Sequence, residues 1–289
     1  MAIIEVRGLT KYYGEVRGIE DLSLEVEKGE IFGYLGPNGA GKTTTIRTLL
    51  GFLKPTRGDA RILGREIQEG IVEIKQDVGY VPGDLSLYGN MTGQEFLEYF
   101  SSLRDSDPVL LDDLLERFPI PLERKIDGYS RGMKQMVAII QAFMNDPQLV
   151  IMDEPTAGLD PLMQQTVYDF LEHEKGRGRT VFFSSHILSE VDRICDRVGI
   201  IREGRLVALE DIESLKAKRG KKFRVRVQGN PESFRGPEGT VIDDGWIEFV
   251  VEGDINPWIR ELSRFNVLNL EVESFSLEDI FMHYYEEVG

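Results

Sequence analysis

Apolar positions along the chain follow three rhythms. Near the N-terminus they alternate: Ile3, Ile4 and Val6, then Ile19, Leu22, Leu24 and Val26, are mostly spaced by polar residues. That period predicts a small β meander over residues 1–30. Short, nearly unbroken apolar runs follow at residues 31–35, 78–81, 148–152 and 179–185, as expected of strands buried on both faces of a parallel sheet. Helical spacing lies between them. A helix is expected from Thr45 on. Across residues 91–118, Phe96, Leu97, Tyr99, Phe100 and Leu103 form an apolar face behind Thr92, an N-cap with Glu95 three positions on. A second helix over 110–118 stops at Pro119 and Pro121. Further helices are expected at 136–145, from Pro161 to about 174, and at 188–195. Turns are expected at 55–59 and Gly64, and strands at 60–63, 197–202 and 205–209.

Beyond Lys216 the pattern changes. A strand at 223–227, a strand pair at 240–242 and 246–251 around Asp243-Asp244-Gly245, a helix at 255–265, a strand at 267–272 and a helix at 277–286 describe a compact α+β module. The expected division is therefore residues 1–215 and 216–289. The module shows no nucleophile constellation and no metal-ligand spacing, so regulation or a dimer contact is the default expectation for it. Its entry is basic (Lys216, Lys218, Arg219, Lys221, Lys222, Arg224 and Arg226). A solvated strand face is a simpler reading of that run than a contact with anionic lipid or a partner.

With 289 residues, 41% of them hydrophobic and 29% charged, the composition is that of a soluble globular protein. A net charge of −16 argues against a nucleic-acid partner bound over the whole surface. Any phosphate must be met by a local positive site. The single Cys195 permits no internal disulfide and reads as a packing residue. No signal peptide is recognisable, and residues 137–144, an apolar run, are interrupted by Gln141. A cytosolic location is expected, with any membrane-spanning part on another polypeptide.

One stretch supplies the positive site. Gly36, Pro37, Asn38, Gly39, Ala40, Gly41, Lys42, Thr43 and Thr44 leave the 31–35 strand and feed a helix N-terminus. Glycines admit close backbone approach, the helix end adds partial positive charge, Lys42 can reach β- and γ-phosphates, and the Thr43 hydroxyl can ligate Mg²⁺. Downstream, the 148–152 strand ends in Asp153 and Glu154. A parallel strand delivers both to the carboxyl edge of the sheet, where Asp153 can join a Mg²⁺ shell and Glu154 can orient or deprotonate an attacking water. His186 ends the next parallel strand and can reach the same phosphate; His173 and His283 fall within expected helices and carry no such context. Ser130 and the backbone near Gly132 open a helix, a second anion-binding candidate. Tyr13, in a turn, offers a flat ring for a purine.

Together these segments resemble the ATP-binding subunit of an ABC transporter, over about residues 3–215. The resemblance implies an α/β P-loop NTPase fold with a β-meander subdomain, a helical subdomain at about 84–146 carrying the signature motif, and a small C-terminal α+β domain. It assigns the phosphate loop to Gly36–Thr43, the signature to Ser130-Arg131-Gly132-Met133, and magnesium and catalytic carboxylates to Asp153 and Glu154. It also assigns the loop at a dimer contact to Ala157-Gly158-Leu159-Asp160, a switch histidine to His186 and adenine stacking to Tyr13. ATP hydrolysis with Mg²⁺, a head-to-tail pairing with a second such subunit, and separate polytopic membrane subunits are implied, with contact to the latter near residues 84–103. Two departures stand out. The signature reads Tyr-Ser-Arg-Gly-Met where Leu-Ser-Gly-Gly-Gln is common, a variant similar to that of drug, antibiotic and polysaccharide exporters. Gly83 stands where the family usually has a magnesium-sensing glutamine.

Overall fold

A computed structural model describes residues 2–214, 220–251 and 253–274. In chain order, two twelve-residue strands, β1 (Ala2–Tyr13) and β2 (Val16–Glu27), form an antiparallel hairpin. Then come β3 (Ile31–Leu35), α1 (Lys42–Leu49), β4 (Arg57–Ile62), β5 (Arg65–Glu66), α2 (Ile71–Asp77) and β6 (Val78–Val81). Helices α3 (Gly93–Ser102), α4 (Leu111–Arg117) and α5 (Arg131–Phe143) follow, then β7 (Leu149–Asp153), α6 (Pro161–Gly176), β8 (Thr180–Ser185), α7 (Leu188–Ile194), β9 (Arg197–Arg202) and β10 (Arg205–Asp211). The last described elements are β11 (Lys221–Gln228), β12 (Val241–Asp243), β13 (Trp246–Val251), α8 (Asn256–Leu262) and β14 (Asn266–Ser274). The helix expected at 277–286, with His283, lies outside the described residues.

The chain divides into two compact units, Met1–Leu209 and Glu210–Gly289. In the first, an antiparallel sheet ordered β2-β1-β4-β5 accompanies a six-stranded sheet ordered β10-β9-β3-β8-β7-β6. Strands β6, β7, β8, β3 and β9 run parallel, so their carboxyl ends share one edge. Ile4, Leu9, Ile19 and Leu22 of the hairpin share one core with Phe32, Tyr34, Ile46, Leu49, Ile151 and Phe182. The alternation along β3 assigns its two faces. The Tyr34 hydroxyl meets Thr45 Oγ1 of α1 at 3.1 Å, whereas a Cβ on Gly33 would lie 2.7 Å from Val191 Cγ1 of α7 and 3.0 Å from Cys195 Sγ. Only glycine fits there. Cys195 is the packing residue expected, and burial pushes its thiol up.

Two local expectations change. Residues 57–59, expected as part of a turn, belong to β4. Gly58, at φ +75°, lies so close to Gly8 that a Cβ would collide with that backbone, and the β1–β4 register shifts between Arg7 and Thr10. Glycine at this crossing lets strand pairing continue through a bulge. The helix expected from residue 136 begins at Arg131, because Ser130 caps it by accepting from Met133 N at 3.2 Å. At α3 the Thr92–Glu95 capping box is present in both directions, at 3.1 and 2.8 Å.

The second unit is an antiparallel sheet ordered β12-β13-β11-β14. One face and α8 enclose Phe223, Val225, Ile247, Phe249 and Leu262, with the Phe223 and Phe249 rings stacked at 5.1 Å. The other face carries Lys222 and Arg224. Arg224 meets Glu248 at 2.9 Å and Glu271 at 3.7 Å and lies 4.3 Å from the Trp246 ring centre; Lys222 meets Glu248 at 3.5 Å. These described cations are matched by acids on both neighbouring strands, as in a solvated sheet face.

Candidate functional site

The loop between β3 and α1 is built to receive an anion. Gly41, the N-cap of α1, has φ +111°, makes no side-chain cap, and the first turn holds no acidic residue. The free N–H groups of that turn and the helix dipole are therefore unneutralised. Gly36 admits no side chain, since a Cβ would collide with the Ile201 carbonyl. Gly39, at φ +81°, has open space around it on the loop's outer side. Ala40 N donates to Pro37 O at 3.1 Å and Gly204 N to Ala40 O at 2.8 Å, which fixes the loop against the β9–β10 turn.

Lys42 is 5% exposed. Its ammonium donates to Gly36 O at 2.6 Å and Pro37 O at 3.2 Å, and pairs with Glu154 Oε1 at 3.1 Å. The β7 and β8 register sets Asp153 beside Ser184. Ser184 Oγ donates to Asp153 Oδ1 at 2.6 Å, and Thr43 Oγ1 donates to Asp153 Oδ2 at 2.8 Å. Burial, then the Asp153 charge, pushes the Tyr80 phenol up to about 12. Glu154 leaves the strand at φ +49°, a left-handed turn held by its own N–H on Ser184 O at 3.2 Å. That turn directs its carboxylate back over the loop, where Oε2 meets His186 Nδ1 at 3.1 Å while Oε1 meets Lys42. Lys42, Thr43, Asp153, Glu154 and His186 thus converge at one sheet edge.

Tyr13 stands at the rim, 48% exposed, with Lys11 Nζ 5.6 Å from its ring centre. A Cβ on Gly18 would lie 2.9 Å from Tyr13 Cε2 and 3.0 Å from Thr44 Cγ2, so the ring and Thr44 are neighbours. Ser130, Gly132 and Asp160 form a separate group at the N-termini of α5 and α6. Asp160 Oδ1 accepts from Leu162 N and Met163 N at 3.1 and 3.0 Å, and Gly132 faces Leu159. These bonds stay within their own helix ends. Arg131 lies over Gly158, where a Cβ would come within 2.6 Å of its Nε; Gly158 is at φ +79°. Gly83 borders the first group, its Cβ position 3.4 Å from Asp153 Oδ2. Ser184 was not singled out by the sequence. Its signal is a polar end on the apolar run Val181-Phe182-Phe183, immediately before Ser185 and His186.

A family profile described as ABC transporter matches residues 19–157. The bacitracin transport ATP-binding protein of Bacillus licheniformis is 35% identical, over 97% of this chain and 96% of its own length. The chain belongs to the family of ABC transporter ATP-binding proteins. A fluoroquinolones export ATP-binding protein of Mycobacterium tuberculosis is 34% identical to this ABC subunit, over 97% of this chain and 92% of its own. Among solved structures, an ATP-binding subunit of an ABC transporter superposes with a TM-score of 0.70 at 31% identity, covering 74% of this chain and 92% of that one. The ABC subunit is accordingly an ATPase, and the two sheets and bordering helices are the ABC ATPase fold.

Proposed function

We propose that the convergent edge residues hydrolyse ATP to power export through separate membrane subunits. The observation that carries this reading is Glu154, held between Lys42 and His186 directly above the phosphate loop. The loop N–H groups and Lys42 bind the phosphates, and Tyr13 stacks on the adenine. Glu154 takes a proton from the attacking water, and His186 holds Glu154 in place and meets the γ-phosphate. Thr43 and Asp153 offer a hydroxyl and a carboxylate oxygen 2.8 Å apart, hard donors suited to Mg²⁺. Among the described residues no group of three His, Cys, Asp or Glu could hold a metal, so phosphate oxygens and waters would complete the shell. Mg²⁺, when bound, neutralises charge on the β- and γ-phosphates.

The loop leaves the outer face of the triphosphate open. Ser130, Gly132 and Asp160 of a second copy or a paralogue cover it head-to-tail, excluding water. Residues 1–215 form the ATP-binding domain and 216–289 an accessory domain. A membrane partner docks along α3 and the groove beside it. Tyr88 and Tyr99 are half exposed there, and Phe52, Tyr80, Phe100 and Leu103 line an apolar groove with Arg104 at its edge. No helix among the described residues is long and apolar enough to cross a membrane, in keeping with a subunit attached to the cytoplasmic face. Export is supported by the relatives' transport roles.

Affinity capture of the full chain from solubilised membranes tests this. It should recover a protein with several spans, and Phe52→Glu should lose it while the purified subunit still hydrolyses ATP. Recovery of soluble partners alone would replace transport with a soluble ATPase role.

A further inference from the structure

Two buried acids of the first unit are satisfied in opposite ways. Glu174 is paired with Arg177 and Arg179 at 3.1 and 2.6 Å, the ordinary solution for a buried carboxylate. Glu190 on α7 is 5% exposed, and among the described residues no ion pair reaches it. It accepts from three hydroxyls instead: Thr156 Oγ1 at 2.6 Å and Tyr168 OH at 2.9 Å on Oε1, and Ser185 Oγ at 2.5 Å on Oε2.

Each donor comes from a segment flanking the site. Thr156 lies two residues beyond Glu154, and its carbonyl accepts from Leu159 N at 3.1 Å to open the 157–160 turn. Ser185 precedes His186, and its oxygen also accepts from Ile187 N at 2.9 Å, so both flanks of the histidine are fastened to one hydroxyl. Tyr168 belongs to α6, the helix that Asp160 caps. We infer that Glu190 is a positioning residue: its carboxylate sets the spacing between Glu154 and His186 and ties both to the 157–160 turn. This rests on the roles proposed above for Glu154 and His186. Lys42, Thr43 and Asp153 make no hydrogen bond to Glu190 or to its three hydroxyl donors, so the network bears on the chemical step more than on the phosphate grip. Side chains fixed by a shared hydrogen-bond network keep their geometry as a unit.

The test uses the full chain with Mg²⁺ and ATP, measuring kcat, nucleotide Kd and Tm for Glu190→Gln, Ser185→Ala, Thr156→Val and Thr156→Ser. The first three should lower kcat by about tenfold or more, since small misplacement of reacting groups is costly. Their Kd should stay within about twofold of the original, as expected for loss of an interaction that acts only in the chemical step. Thr156→Ser, which keeps the hydroxyl, should keep kcat. If the three variants lower Tm and leave kcat unchanged, the network is structural and the inference fails. Glu154→Gln separates the two levels: turnover that survives it overturns the base assignment, whereas loss there with full activity in the Glu190 series overturns the positioning role alone.

Discussion

Replacing Glu154 with glutamine changes one carboxylate oxygen to an amide nitrogen and little else. The left-handed backbone at φ +49° accommodates both residues equally, because they branch alike up to Cδ. The ion pair with Lys42 joins a 25% exposed carboxylate to an ammonium only 4% exposed, so weakening it costs about 1–3 kcal/mol of stability. Lys42 retains Gly36 O and Pro37 O as acceptors. Removing a negative charge beside the expected γ-phosphate weakens repulsion, so nucleotide affinity should hold or rise. The chemical step loses its proton acceptor, a change of about 10²–10⁴ in rate, or roughly 3–5 kcal/mol of barrier. Single-turnover phosphate release at saturating Mg²⁺ and ATP measures that loss. Fluorescent-nucleotide titration and gel filtration with ATP measure retained binding and an accumulated pair. A rate within roughly threefold of the unaltered chain would refute the assignment of Glu154 as base, because no positioned base contributes so little.

Lys42→Ala removes an ammonium whose three contacts all lie within the loop and Glu154; nucleotide affinity should fall about 10–100-fold, as for a lost charge-assisted hydrogen bond, which equilibrium titration checks. Gly79→Ala places a Cβ against the Ala142 carbonyl where β6 packs on α5, and should cost about 1–3 kcal/mol of stability. Denaturant unfolding should show a lower midpoint with nucleotide affinity unchanged.

Much of the fold was legible because its signals are local. The apolar run at 31–35 is buried at every position, as a parallel strand requires, and the Thr92–Glu95 box marks a helix start with two hydrogen bonds only a few residues apart. Glycine–lysine–threonine before a helix, and paired carboxylates after an apolar strand, place five side chains at one edge because parallel strands end together. Other features depend on partners far along the chain. Gly58 reads as a turn residue until Gly8 is brought against it. Glu190, in the exposed-looking sequence Leu188-Ser189-Glu190, reads as solvated; only α7 packing turns it toward hydroxyls 5 to 34 positions away. Arg131 packs over Gly158, a contact between two separate helix-end turns that no local pattern announces.

The bare main chain at Gly83 has a mechanical corollary. No side chain stands there to hold and let go of Asp153, and one added at this position would press within 3.4 Å of that carboxylate. β6 ends at Val81, two residues before Gly83, and carries Tyr80 on the groove wall, so the Asp153 edge and the groove proposed for docking lie on one short stretch of main chain.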